Sequence, residues 1–231
     1  MGSAPCVQGA TWVSAAPKVI YDTKATEELE NELKLCSIYG SIPNFDKMIR
    51  LVRGGANPCV KNKYGRTLWH YAAMFDRDDV ILQLIQLLQL NPLIADYPGR
   101  EMVTCLNSRD DIGRTPLHEA ILSKSNEAVR ILVLNGANLA AIDNFGRTTL
   151  HAAVISWNLF AVQLLLRTIA THRPECLNAY VNTPDRLGTS PLHDAVLSNN
   201  YEFVRILIAN GADPAAKDGF GQFPSHMAVQ R

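Results

Sequence analysis

The sequence predicts an all-α solenoid of stacked helix pairs, and three observations carry that prediction. First, a short string returns along the chain. It reads Gly65-Arg66-Thr67-Leu68-Trp69-His70, Gly113-Arg114-Thr115-Pro116-Leu117-His118, Gly146-Arg147-Thr148-Thr149-Leu150-His151, Gly188-Thr189-Ser190-Pro191-Leu192-His193 and Gly221-Gln222-Phe223-Pro224-Ser225-His226. The leading glycines are 48, 33, 42 and 33 residues apart, so two intervals keep a bare period and two carry insertions of 15 and 9. Second, Gly55-Ala56-Asn57, Gly136-Ala137-Asn138 and Gly211-Ala212-Asp213 each stand ten residues before one of those glycines. Third, a second stretch of strong apolar content and helical length follows the string, as at Val129–Val133 and Phe203–Ile208.

Each element has a local reason. Residues 1–23 show no helical period and are expected to be a flexible tail; Cys6 stands where a myristoylation motif at Gly2 would want Ser or Thr. The repeat region is expected over 24–231, in units of about 24–61, 62–109, 110–142, 143–184, 185–217 and a partial 218–231. The first unit is degenerate. Its helices are expected over Thr26–Ile38 and Phe45–Arg53, and Glu27, Glu28, Glu30 and Glu32 suit a capping unit that faces water. In the later units Thr67, Thr115, Thr148 and Ser190 stand where a hydroxyl caps a helix by accepting a backbone N–H bond. Pro116, Pro191 and Pro224 fall on the first helical residue, whose N–H has no partner to lose. Small residues follow at Ala72, Ala120, Ala153, Ala195 and Ala228, allowing close approach of neighbouring helices. A second, more apolar helix comes next, such as Val129-Arg130-Ile131-Leu132-Val133 or Phe203-Val204-Arg205-Ile206-Leu207-Ile208. Gly55, Gly136 and Gly211 are placed to end it in the left-handed conformation.

These residues resemble the ankyrin repeat, with its turn, its T-P-L-H-x-A first helix and its antiparallel second helix. The likeness runs over roughly 27–231. It implies an ankyrin-repeat solenoid of helix pairs with β-hairpin fingers on one side, and members of the family mostly bind other proteins on the concave surface of fingers and first helices. It also implies that His70, His118, His151, His193 and His226 bond backbone in adjoining turns. That agrees with geometry, since equivalent residues of stacked helices lie on the order of 10 Å apart and cannot converge on one metal ion. The Ala-Val-Leu/Ile-Ser-x-Asn runs at 153–158 and 195–200 and the nine-residue insertion are loosely similar to inhibitor-of-NF-κB-type arrays.

The insertions lie within 89–110 and 169–185, where a second helix gives way to the next finger. Asn91-Pro92, Tyr97-Pro98-Gly99, His172-Arg173-Pro174 and Thr183-Pro184 mark them as loops, at most with an extended final helical turn. They are read either as tolerated junction loops or as added contacts for a partner. The chain stops at Arg231 inside an expected first helix, which reads as a fragment of a longer protein or a very short cap.

Composition narrows the function. Lys plus Arg and Asp plus Glu are 22 each in 231 residues, so net charge gives no argument for direct nucleic-acid or membrane-surface binding. The five cysteines are scattered without a CxxC pair, which fits unpaired thiols in a reducing compartment, cytoplasmic or nuclear. No phosphate-binding glycine loop, dinucleotide fingerprint, H-E-x-x-H or G-x-S-x-G occurs. No cofactor, metal site or catalytic group is expected, and the chain is read as a non-enzyme.

The expected function is a protein-binding scaffold or adaptor. The residue before each leading glycine falls at a fingertip: Tyr64, Ile112, Phe145, Leu187 and Phe220. All are apolar or aromatic, which a water-facing tip does not need. Arg66, Arg114 and Arg147 follow, and Met74, Leu122, Ile155 and Leu197 lie further along the first helices. Together they make an apolar ladder edged with arginine, typical of an interface; the competing reading packs these side chains within the solenoid. A second functional reading is a regulatory or targeting array of a larger enzyme or channel, as in calcium-independent phospholipases and some ion channels. A ubiquitination adaptor would need a helical box after the repeats, and that reading is not expected from these residues.

Overall fold

The computed structural model describes residues 21–39, 42–90 and 100–229. The expected tail before Tyr21, the Asn91-Pro92 and Tyr97-Pro98-Gly99 turns, and the chain end lie outside them. Among the described residues thirteen α-helices and no strands occur, none of them long and apolar enough to cross a membrane. The chain divides into two compact units, one ending at Asn144 and one beginning at Phe145.

The N-terminal unit holds α1 (Thr23–Tyr39), α2 (Phe45–Arg53), α3 (Leu68–Met74), α4 (Asp78–Leu90), α5 (Arg100–Leu106), α6 (Pro116–Leu122) and α7 (Asn126–Leu134). First helices pack on first helices, α3 on α6, and second helices on second helices, with α4 between α2 and α7. The alternation expected from sequence is visible in burial. Ala72 and Ala120 are fully buried with Leu68, Leu117 and Ile121, while Val129 and Leu132 of α7 are fully buried on the other layer. Each of the Leu, Ile and Val side chains contributes roughly 1.5–3 kcal/mol by leaving water.

The C-terminal unit holds α8 (Thr149–Ile155), α9 (Leu159–His172), α10 (Pro174–Val181), α11 (Pro191–Leu197), α12 (Tyr201–Ala209) and α13 (Pro224–Val229). It repeats the plan: α11 packs between α8 and α13, and α9 and α12 pack against the first helix of their own pair.

The histidines explain why the short first helices hold. In each, Nδ1 accepts the backbone N–H of the residue that caps the helix, at 3.1 Å for Thr67–His70, 3.2 Å for Thr115–His118, 3.0 Å for Thr148–His151 and 3.2 Å for Ser190–His193. The Thr148 hydroxyl also accepts from the His151 N–H at 3.4 Å, as its position predicts. An accepting Nδ1 assigns the ring proton to Nε2. That nitrogen reaches the next finger: His70 donates to the Arg114 carbonyl at 3.1 Å, His151 to Thr189 at 3.1 Å and His193 to Gln222 at 3.2 Å. One imidazole thus caps its own helix and ties it to the following repeat.

The insertions differ from expectation, because they form helices. Proline at the first helical position starts a helix as readily as it ends one, and Pro174 opens α10 directly after α9. Both inserted helices brace the following repeat in the same way. The Asn107 side chain accepts from the Asn138 N–H at 2.6 Å, and the Asn182 side chain accepts from the Asp213 N–H at 2.7 Å while donating to the Gly211 carbonyl at 2.8 Å. Ahead of the third such loop, at 55–57, the Thr26 hydroxyl accepts from Asn57 at 3.0 Å. Thr149, where proline is usual, bonds the Tyr180 hydroxyl at 2.9 Å in the interior, which ties α10 to α8.

Cysteine pairing is a second correction. Cys59 and Cys105 form a disulfide, with Cα atoms 5.2 Å apart, and join the loop before the 62–66 finger to α5. They are not the unpaired thiols their spacing suggested, since contacts 46 residues apart leave no local signature. Cys36 is a free, buried thiol.

Candidate functional site

Four of the fingers are closed by one Asn or Asp, buried at positions 62, 110 and 218 and half-buried at 185. A short side chain with an oxygen can bond its own backbone two and four residues on. Asn62 accepts from the N–H groups of Tyr64 and Arg66, both at 3.0 Å, and Asp110 from those of Ile112 and Arg114 at 3.0 and 2.8 Å. In the C-terminal unit Asp185 accepts from Leu187 and Thr189, both at 2.8 Å, and Asp218 from Phe220 and Gln222 at 2.9 and 2.8 Å. A backbone bond also crosses each of these turns, from the Asn62 N–H to the Arg66 carbonyl and from the Asp110 N–H to the Arg114 carbonyl, both at 2.9 Å.

The tip residues then spend their carbonyls on the next finger. Tyr64 accepts from the Asp111 N–H at 3.0 Å and Ile112 from Asn144 at 2.8 Å; Phe145 accepts from Arg186 at 2.9 Å and Leu187 from Gly219 at 2.7 Å. Backbone bonding fixes the tips, and their side chains point away from the core. Tyr64 is 45% exposed, Ile112 37%, Phe145 55%, Leu187 59% and Phe220 77%. On the first helices Ile155 and Leu197 are exposed, whereas Met74 and Leu122 are half-buried. The N-terminal unit carries Tyr64, Ile112, Arg66, Arg114, Met74 and Leu122, and brings Arg66 and Arg114 together on Glu119. The C-terminal unit carries Phe145, Leu187, Phe220, Arg147, Ile155 and Leu197.

The arginines are engaged rather than free. Arg66 reaches Asp110 at 3.4 Å and Glu119 at 3.7 Å, and Arg114 reaches the same Glu119 at 3.4 Å. These two guanidiniums act as struts between the finger and α6. Arg147 lies over the Phe145 ring at 4.7 Å, a cation–π contact that stiffens that tip.

Sequence reasoning missed Trp157. It sits in the turn between α8 and α9 with φ 60°, and its indole is 55% exposed. The matching positions are Asp76, Lys124 and Asn199, also left-handed but polar. A bulky side chain there costs about 1–2 kcal/mol without burial to offset it. The available signal was a tryptophan eleven residues after the leading glycine, where the other units have polar residues. Tyr201 and Phe160 are also exposed in the C-terminal unit.

Two titratable groups respond to burial in opposite directions. Burial lowers the His70 imidazole to about 4, against a smaller upward pull from its bond to the Arg114 carbonyl. Burial raises the Asp194 carboxyl to about 7; neighbouring Asp185 adds to the rise and Arg147 opposes it. Between about pH 4, the ordinary aspartate value, and about pH 7, folded Asp194 keeps a proton that the unfolded chain has lost. Its contribution is therefore fully present below that window, and is lost as pH rises through it. The His70 contribution is present above about pH 6.5 and is lost as pH falls towards 4. Asp194→Asn should thus raise the melting temperature of the C-terminal unit at pH 8 and flatten its dependence between pH 5 and 7. Thermal unfolding across pH checks this; an unchanged slope in the variant would refute it.

The family model for ankyrin repeats (3 copies) matches residues 33–143 and 135–218. Among curated proteins, the chain is 30% identical to the Transient receptor potential cation channel subfamily A member 1 of Homo sapiens over 216 residues, covering 81% of this chain and 19% of that protein. It is 29% identical to the Neurogenic locus notch homolog protein 1 of Homo sapiens over 167 residues, covering 72% of this chain and 6% of that protein. It is also 26% identical to the Nuclear factor NF-kappa-B p105 subunit of Gallus gallus over 140 residues, covering 60% of this chain and 14% of that protein. The chain spans under a quarter of the length of each.

Proposed function

Because this chain belongs to the ankyrin-repeat family, we propose that it is a non-catalytic scaffold or adaptor that captures a partner protein on its fingertips and first helices. The observation that carries the reading is the set of five apolar tips, whose side chains stay exposed although the backbones of four of them are bonded to the next finger. A position that is fixed, apolar and outward gains nothing for folding and loses little entropy on binding. Tyr64 and Phe145 are the aromatic tips of the two units best suited to anchor a partner.

The Tyr64→Ala/Phe145→Ala variant is expected to lose partner capture from native lysate, read by mass spectrometry against the wild type. Its unfolding should change by no more than about 0.5 kcal/mol, as at other exposed positions. A variant that melts much earlier would show that these rings are core, and an unchanged set of captured proteins would show that they are not contacts.

A second reading is a regulatory or targeting array within a larger enzyme or channel. It is favoured by the length of the relatives, one of them a cation channel of which this chain matches 19%. The reading frame beyond the codon for Arg231 separates the two. With either reading we propose a cytoplasmic or nuclear address, resting on the resemblance to a nuclear-factor subunit and no longer on the cysteines.

A further inference from the structure

We propose that the fingers of the N-terminal unit receive an acidic protein segment, one in which carboxylates flank aromatic or aliphatic side chains. The inference rests on the fingertip reading above and gives the partner's chemistry.

It starts from which charges are already matched. Arg66 and Arg114 are paired with Asp110 and Glu119, two cations against two carboxylates. Lys61, Lys63 and Arg109 are not matched: among the described residues none has a carboxylate within salt-bridge distance. Their partners are neutral. The Lys61 ammonium donates to the Arg109 carbonyl at 2.7 Å, which sets it beside that residue on the next finger. Lys63 lies 4.9 Å over the Tyr64 ring. Arg109 donates to the Gly113 carbonyl at 3.2 Å and to the Asn144 side chain at 3.3 Å. Asp111 is the one exposed carboxylate on these turns. Three cations against one carboxylate is a local surplus in a chain whose formal charge is zero, so it is not an echo of general basicity.

The apolar component comes from the same turns. Tyr64 and Ile112 are the exposed tips between these cations, and Met74 and Leu122 are half-buried on the helices below. A polyphosphate chain would meet an aliphatic tip that cannot stack, an aromatic tip already covered on one face by Lys63, and the charge of Asp111. An acidic peptide satisfies both parts: carboxylates pair with the three cations, and apolar side chains cover Tyr64 and Ile112. The charges steer encounter and select the partner, and the tips supply the buried area.

The test pans displayed random dodecapeptides against the full chain and against Lys61→Glu/Lys63→Glu/Arg109→Glu, whose unfolding is first shown to match the wild type. The wild-type pool should be enriched in Asp and Glu beside aromatic or aliphatic residues. A selected peptide should bind the triple variant at least about tenfold more weakly, and bind the wild type more weakly at high salt. Pools with the same charge from both proteins would overturn the proposal. So would a single-stranded oligonucleotide, or a second copy of the chain, that binds through these cations while no acidic peptide is selected. Tyr64→Ala/Ile112→Ala separates the two readings. Peptides without acidic character that still need these tips would sink the charge proposal and leave the fingertip reading standing. Peptides that ignore both tips and cations would remove both.

Discussion

Replacing Gly188 by alanine is expected to destabilise the C-terminal unit by about 3 kcal/mol, combining left-handed strain with a backbone collision. Gly188 has φ +77°, and a Cβ there would stand 2.4 Å from the Gly219 nitrogen and 2.9 Å from the Asp218 carbonyl carbon. Those atoms are backbone and cannot rotate aside. Gly219 in turn leaves 2.6 Å between its own added Cβ and the Leu187 oxygen, so the two fingers meet glycine to glycine. Relief of the clash would break the bond from the Gly219 N–H to the Leu187 carbonyl, which is 2.7 Å long. Gly221 supplies the control. Its φ is +76°, but nothing lies within 4 Å of an added Cβ, so Gly221→Ala should cost only the strain, about 1 kcal/mol. Urea unfolding of both variants reads the difference. Equal losses would mean that the fingers can part without cost.

The parts of the fold that were legible in the sequence are those whose causes are local. The helix starts at Pro116 and Pro191, the paired helices Thr23–Tyr39 and Phe45–Arg53, and the buried alanines each follow from a few adjacent residues. Tip positions were legible for the same reason, because a single residue before each leading glycine defines them. What could not be read depends on pairs far apart in the chain. Arg66 looks like a free rim charge until Asp110, 44 residues later, is placed beside it. Cys59 looks like a lone thiol until α5 brings Cys105 to it. Pro174 could be taken as a break because a proline after a long helix has two outcomes, and only Thr149 with Tyr180, 31 residues apart, selects the helical one. Trp157 was overlooked for another reason: a polar-looking turn conceals a costly residue unless its backbone angle is known.

Reducing the Cys59–Cys105 bond should cost the N-terminal unit roughly 4 kcal/mol, the chain-entropy value for closing a loop of this length. The bond spans 46 residues, and the loop it closes contains α3 and α4. Its Cα separation of 5.2 Å lies within the usual range of about 4.4–6.8 Å, so the backbone carries the bridge without displacement. The C-terminal unit should be indifferent, because the residue matching Cys105 there is Tyr180, anchored by its hydroxyl to Thr149. Unfolding with and without a dithiol reductant, followed by hydrogen exchange on each unit, reads both halves of the claim. Mass mapping of alkylated thiols in air-oxidised protein should find Cys36 labelled after unfolding, and Cys59 and Cys105 unlabelled. Free thiols at both positions, or reduction that leaves the N-terminal unit unchanged, would refute the staple. The consequence reaches the candidate site. Cys59 lies just before Lys61, Lys63 and Tyr64, so the inserted helix braces the finger on which the unmatched cations stand. In a reducing compartment the pair rests as thiols, and that finger loses its covalent tie to α5 while the Asn62 bonds and the Arg66–Asp110 pair still hold its turn. Partner binding through Tyr64 should then weaken with added reductant, whereas the Phe145 and Leu187 tips of the other unit should not respond.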